Sequence, residues 1–245
     1  MMKFYDVGYN LLTNNRLKEL FSLRKKTFKD RLDWIVNCEN SMEFDEYDSH
    51  YTTYIFGVYQ DHVICSLRFI ETKYPNMISC GEFNAYFNNK ITLPAGNYVE
   101  ASRLFIDKER LRTLDLRQQP ISSILFLSMI NFARNFGYQG IYAIISHAMR
   151  IIFQRSGWDI SLVERGCYEK NKNIYLVYMP LDDDNQHRMI ERITHQAFLS
   201  GNPLDSWPLS FPISEKRGRI SCNSILSLMA CLALVTPSFL TTLPI

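Results

Sequence analysis

Apolar residues recur along the chain at several spacings, and each spacing predicts an element. Leu12, Leu17, Leu20, Phe21 and Phe28 fall at near-helical intervals between residues 12 and 30, which predicts a helix with one apolar face. Arg24 lies in the turn between Phe21 and Phe28, where a further apolar residue would continue the stripe. From Leu32 to Ser49 no period persists, so a long ordered loop or a broken helix is expected. The runs TYIFGVY (53–59) and VICSLRFI (63–70) are rich in β-branched and aromatic residues and are separated by Gln60, Asp61 and His62, which predicts a hairpin. NYVEASRLFI (97–106) alternates in part and reads as a third strand.

The next unit is clearer. PISSILFLSMINFARNFG (120–137) is apolar around nearly its whole circumference, begins at proline and stops at glycine, the pattern of a buried helix. GIYAII predicts a strand, HAMRIIFQRSG a helix closed by Gly157, and IYLVYM a further strand. This succession predicts crossover connections onto a largely shared sheet. After Pro180, LDDDNQHR reads as a turn or linker, 187–199 as a short helix, and SWPLSFPI (206–213) as an extended surface segment. Residues 1–213 are expected to form one domain, and 214–245 an apolar tail without an assigned role. The tail's apolar run ILSLMACLALV has 11 residues, fewer than the roughly 17–25 a helix needs to cross a bilayer.

Composition narrows the class. With 47% apolar and 21% charged residues, a folded core is expected rather than disorder. The net charge of +2 is small, but its distribution is uneven: bases dominate 3–33, whereas 39–48 holds acids and no base. That polarity is too local to predict nucleic-acid binding. The cysteines are scattered without a C-x-x-C pair and no signal peptide is read at the amino terminus, which predicts a cytoplasmic protein with mostly buried thiols. The histidines lie far from one another and from cysteine partners, so no metal site is expected.

G-x-S-x-G, H-E-x-x-H, G-x-G-x-x-G and P-loop motifs are all absent, which removes the simplest support for hydrolase, zinc-protease and nucleotide-fold readings. The chemistry must then come from charged groups on or near strands: Asp45, Asp48, Arg68, Glu100 and Arg103. A charge in a strand that otherwise seeks burial has to be paired. Two readings stay open, a structural network such as Arg68 with Glu100, or a cleft whose carboxylates take a cationic ligand and whose arginines take an anionic one. MEFDEYD (42–48) lacks the glycine and ligand spacing of a calcium loop. Among Phe21, Phe28, Trp34 and Phe105, core packing accounts for three of the four.

Taken in order, LRKKTFKDRLDW, MEFDEYD, CSLRF and VEASRLFID resemble the acyl-homoserine-lactone synthases, the LuxI-type autoinducer synthases of Gram-negative bacteria, over roughly residues 3–213. The family's invariant positions match Arg24, Phe28, Trp34, Asp45, Asp48, Arg68, Glu100 and Arg103. The resemblance implies an α/β protein of the α+β sandwich type, an acetyltransferase-like three-layer fold with a central mixed sheet flanked by helices. It also implies an acyltransferase that joins S-adenosylmethionine, a substrate rather than a cofactor, to an acyl group on acyl carrier protein. The methionine amine attacks the thioester; the carboxylate then closes on the γ-carbon, expelling methylthioadenosine and leaving a lactone signal.

On that resemblance, Asp45 and Asp48 meet the positive groups of S-adenosylmethionine, and Arg24, Arg68 or Arg103 holds its carboxylate or fixes the acidic pair. Phe28 and Trp34 exclude water. Glu100 acts as general base, directly or through water, or else orients Arg103. An acyl tunnel would draw on Leu104, Phe105, Leu125, Met129, Ala143, Ile144, Met149, Phe153 and Leu176. Ala143 stands where relatives that make 3-oxo products have threonine, which implies unsubstituted chains. An acidic carrier protein would dock on Lys25, Lys26, Lys29 and Arg31, or on Arg150 and Arg155. DKERLRTLDLRQQP (107–120) lacks the glycine of a pyrophosphate-binding turn, which favours a protein-borne thioester. The alternatives are a coenzyme A-dependent N-acyltransferase of related fold and a non-catalytic ligand-binding regulator.

Overall fold

The computed structural model describes residues 1–79, 82–89, 91–168, 172–197 and 204–213. The proposed tail, 214–245, lies outside them. β1 (Met2–Gly8) opens the chain and buries Met2 and Phe4. Helix α1 (Asn14–Lys25) starts at a Thr13 cap and passes into a π-helical turn, Lys26–Arg31, that buries Thr27 and Phe28. The stretch expected as a loop or broken helix carries a small hairpin, β2 (Cys38–Glu39) with β3 (Met42–Glu43). Asn40 and Ser41 turn it with φ of 49° and 63°, as a two-residue hairpin requires. β4 (Thr52–Tyr59) and β5 (His62–Glu71) form the expected hairpin, turning at Gln60 and Asp61, with His62 already in the strand.

β6 (Tyr98–Ile106) is followed by α2 (Lys108–Thr113) and the buried α3 (Ile121–Asn135), then β7 (Gly140–Ser146) and α4 (His147–Ser156), which Gly157 ends at φ 94°. β8 (Ser161–Tyr168), β9 (Lys172–Met179), α5 (Asp183–Ala197) and β10 (Ser210–Phe211) complete the described chain. Among the described residues the main sheet has eight strands in the order β10-β1-β4-β5-β6-β7-β9-β8. Only β6 and β7 run parallel; the other neighbours are antiparallel.

This is the mixed, helix-flanked sheet that was expected, with two corrections. The crossover holds for β6 to β7, through α2 and α3, but β9 runs antiparallel to β7 because the chain first lays down β8 and returns by a hairpin. β8 escaped the pattern because its apolar residues Leu162 and Val163 are exposed. The thiol expectation also needs amending: of the described cysteines Cys38, Cys65 and Cys167, only Cys65 is buried. No helix among the described residues is long and apolar enough to cross a membrane.

The two faces of the sheet have different covers. One core gathers Leu67, Phe69, Val99, Ala101, Ile141, Ala143 and Val177 from the sheet with residues of α3, α4 and α5. On the other face, Tyr54, Phe56 and Phe105 pack with Leu20, Phe21 and Leu23 of α1, and Tyr142 and Leu176 pack with Ile78 and Phe87. The candidate residues converge on this second face.

Candidate active site

A bulge in β6 decides which side chains reach the site. Up to residue 101 the odd positions, Val99 and Ala101, face α3; beyond it Leu104 and Ile106 take that face, and Phe105 turns toward α1. The pairing with β5 slips between Arg68↔Ser102 and Ser66↔Phe105, and Arg103 sits in the slip with φ 53°. A bulge puts two consecutive side chains on one face. Ser102 therefore meets Arg68 of β5, and Arg103 reaches Glu43 of β3. The left-handed backbone costs a non-glycine residue about 1–2 kcal/mol, and the contacts of the Arg103 guanidinium hold it there.

Those contacts belong to a buried ionic network. Arg24 reaches Glu43 through Nε at 2.5 Å and grips Asp48 with both terminal nitrogens, at 2.7 and 3.0 Å. Arg68 donates to Asp45 at 2.5 Å, to Asp48 at 3.0 Å and to Ser102 Oγ at 3.0 Å. Arg103 donates to Glu43 at 3.0 Å and pairs with Asp45 Oδ2 at 2.6 Å. Three guanidiniums thus meet three carboxylates, a neutral set, as burial demands. Asp48 also accepts from Tyr54 Oη at 2.5 Å and from the Asp45 amide at 2.9 Å. Burial alone would raise its carboxyl; Arg24 and Arg68 instead hold it well below the usual carboxylate range.

The sequence candidates are therefore brought together, but their parts differ. Asp48 is saturated and its side chain is 3% exposed, whereas Asp45 and Arg103 keep 11% and 10% exposure at the rim. Glu43, unassigned in the sequence reading, joins Arg24 to Arg103 and is fully buried. Glu46, the remaining acid of the motif, is exposed. Phe28 is buried, with the Arg103 guanidinium 5.7 Å from its ring. Trp34 stacks on Phe28 at 5.1 Å but is 47% exposed, so it is the aromatic of the four that core packing does not explain.

Glu100 stands outside the neutral set. It is 1% exposed and accepts from the Ile78 amide at 3.1 Å. Burial raises its carboxyl above the ordinary value, opposed by the charge of Arg68 and by donors from Ile78, Ser102 and Met77. Of the two open readings, an Arg68–Glu100 pair is not the bond formed: Arg68 spends its hydrogen bonds on Asp45, Asp48 and Ser102. Arg68 Nη2 and Glu100 Oε1 are buried without an aligned hydrogen-bond partner among the described residues, whereas Asp45 Oδ2 is held by its ion pair with Arg103. One cationic donor and one anionic acceptor left in one locus suit a polar ligand carrying both charges.

Glu100 also marks where the sheet parts. β6 and β7 pair at Tyr98↔Gly140, Val99↔Ile141 and Glu100↔Tyr142 and no further. β6 continues to Ile106 on β5, and β7 to Ser146 on β9. Beyond Glu100 their facing edges form no ladder, which leaves main-chain groups for an extended ligand.

The acyl-lining candidates divide between the faces. Leu104, Leu125, Met129, Ala143, Met149 and Phe153 share the core beneath α3 and α4, but Leu176 and Ile144 pack on the opposite face and Phe105 against α1. One tunnel cannot be lined by all of them, because neighbouring strand positions point to opposite faces.

An autoinducer synthase family model matches residues 8–189. The chain belongs to the autoinducer synthase family. It is 72% identical over 201 residues to an acyl-homoserine-lactone synthase of Serratia liquefaciens, covering 82% of this chain and all of that one. It is 51% identical to the synthase of Dickeya chrysanthemi, over 87% of this chain and all of the relative. The expected enzyme class, an acyltransferase that forms an acyl-homoserine lactone, holds with that membership. The fold matches the solved acyl-homoserine-lactone synthase LasI with a TM-score of 0.69 at 18% identity, over 78% of this chain and 95% of that one. It also matches BjaI, a coenzyme A-dependent synthase solved with S-adenosylmethionine and isopentyl-coenzyme A, with a TM-score of 0.66 at 18% identity, over 84% and 96% of the two chains.

Proposed function

We propose that the protein makes an N-acyl-homoserine lactone from S-adenosylmethionine and an acylated carrier protein, releasing methylthioadenosine. The observation that carries this reading is the pair of unsatisfied charged atoms, Arg68 Nη2 and Glu100 Oε1, near the point where β6 and β7 separate. The carboxylate of S-adenosylmethionine matches Arg68 Nη2, and its ammonium matches Glu100 Oε1, with the Asp45–Arg103 ion pair beside them. Phe28 flanks Arg103, and with Trp34 stacked on it screens the site. The thioester would lie along the unpaired strand edges, where a main-chain N–H stabilises the oxyanion. The attacking amine must lose a proton, and a desolvated Glu100 is placed to take it. Lactone closure then needs posture more than side-chain chemistry, because the folded methionine chain brings the carboxylate to its γ-carbon.

Two features support a carrier protein as donor. After β6 the chain enters α2 without a glycine turn, and the Asp107 carboxylate already caps the α2 amides of Glu109 and Arg110. That disfavours a phosphate there. The amino-terminal lysines are also spent: Lys25 pairs with Asp30, Lys26 with Asp107 and Glu109, and Lys29 with Asp33. On the α4–α5 face Arg192 donates to the Arg155 carbonyl and Arg188 to the Gly157 carbonyl, which brings arginines of the two helices together. This face carries the docking reading. Ala143 supplies no hydrogen bond for a 3-oxo group, so unsubstituted chains are favoured.

The test supplies purified protein with S-adenosylmethionine and either acyl-carrier protein or the matching acyl-coenzyme A. Methylthioadenosine should appear in step with lactone, with kcat/KM higher for the carrier protein; a preference for coenzyme A would overturn the donor assignment, and binding without product the enzyme itself. Charge reversal at Arg155 and Arg192 should raise KM for the acyl-carrier protein about tenfold and leave KM for S-adenosylmethionine unchanged. Equal shifts in both constants would remove that face as the docking surface.

A further inference from the structure

The segment between β5 and β6 contains a buried asparagine that the reaction as described does not use. Asn76 is fully buried, and every polar atom of its carboxamide is spent on the segment's own backbone. Its Nδ2 donates to the carbonyls of Thr72 at 3.3 Å and Tyr74 at 2.8 Å. Its Oδ1 accepts from the amides of Ile78 at 3.1 Å and Ser79 at 3.0 Å. Such side-chain bonding to the amide two residues on is the asparagine turn device.

The folded segment ends on both residues of β6 that matter. The Ile78 amide is shared between Asn76 Oδ1 and Glu100 Oε2, at 3.1 Å each. The Met77 sulfur accepts from Arg103 Nη1 at 3.4 Å. Asn84 fastens the far side, donating to the carbonyls of Ile78 at 3.0 Å and Ser79 at 3.3 Å. A surface loop needs no buried carboxamide for its own sake; this one is bent inward to present one donor to a carboxylate and one soft acceptor to a guanidinium.

We infer that Asn76 is a positioning residue for acyl transfer: it folds residues 72–79 so that the Ile78 amide holds the Glu100 carboxylate in place and favours its charged, proton-accepting form. This rests on the reading of Glu100 as the base. The groups facing Glu100 are Arg68 from β5, with Asp45 and Asp48 behind it, Ser102 and Arg103 from β6, Tyr142 from β7, and the Ile78 and Met77 amides. The segment's amides are the contribution that a change at residue 76 would move without altering any charge.

The sign follows directly. Removing a donor from a carboxylate disfavours the anion, raises its pKa and moves the acid limb of the rate profile to higher pH. Asn76→Ala should lower kcat/KM at neutral pH by about 10-fold or more and move the acid limb upward by about one unit. Asn76→Ser, whose hydroxyl can still accept from the Ile78 amide, should lie between Ala and wild type in both measures. A soluble, folded variant whose acid limb stays at the wild-type pH overturns the inference, even if its rate is low, since that marks a purely structural role. Should the alanine variant not fold, the serine variant is read by the same criterion. Glu100→Gln, measured alongside, separates the two claims: wild-type activity there removes the base, whereas an unmoved limb in the Asn76 variants removes only the positioning role.

Discussion

Glu100→Gln should lower kcat by about 10²–10⁴-fold without lowering the melting temperature. The amide keeps the shape of the side chain and can still accept from the Ile78 amide, so the segment beneath it stays in place. On the proposed mechanism, what is lost is the ability to take a proton. The stability side has a definite sign. Burial raises the Glu100 carboxyl above its ordinary value, so its charge opposes folding once the pH exceeds the unfolded value, and a neutral side chain removes that penalty. Activity and stability should therefore part: methylthioadenosine release falls while the thermal midpoint at pH 8 holds or rises. Turnover at the wild-type level would remove Glu100 from proton transfer. A fall in both activity and midpoint would instead place Glu100 in the structural network, contrary to its lack of a dedicated cation.

Part of this site was legible in the sequence. Arg24 interrupts an apolar stripe and Arg68 interrupts an apolar strand, and a buried arginine must find carboxylates; the acids of 42–48 were the nearest supply. What the sequence did not reveal was which acid serves which arginine. Glu43, Asp45 and Glu46 fall within four positions of a segment without a period, and Glu43, in the strand that follows the turn at Asn40 and Ser41, is buried while Glu46 is exposed. The bulge at Arg103 did leave a trace. The apolar positions step from Val99 and Ala101 to Leu104 and Ile106, an interval of three where alternation needs two. The edge strand β8 was missed because a sheet edge demands little apolar alternation. The other edge, β10, lies in the segment read as extended, and β1, inside the sheet between β10 and β4, is marked by little more than the buried Met2 and Phe4. The carboxamide of Asn76 left no mark at all, since an asparagine in a polar loop looks the same buried or exposed.

The same network yields the largest stability effect. Among the described residues Glu43 is the one carboxylate that touches arginines from both α1 and β6, and its side chain is wholly buried. Glu43→Gln turns a neutral set of six charges into one with an uncompensated buried cation, at a cost of about 3–5 kcal/mol. Glu46→Gln, three residues along and exposed, should stay within about 0.5 kcal/mol of wild type. Chemical denaturation of the two variants under one buffer decides the matter, and equal stabilities would mean that the Arg24–Glu43–Arg103 bridge does not form in solution. Arg103 adds a second readout. Freed from Glu43, it has less to hold it in the left-handed conformation, so KM for S-adenosylmethionine should rise together with the loss of stability. Removing the orphaned guanidinium as well, with Glu43→Gln combined with Arg103→Met, should recover part of the stability and none of the affinity. That non-additivity is expected of residues that share one network, and its absence would mean that the two positions act independently.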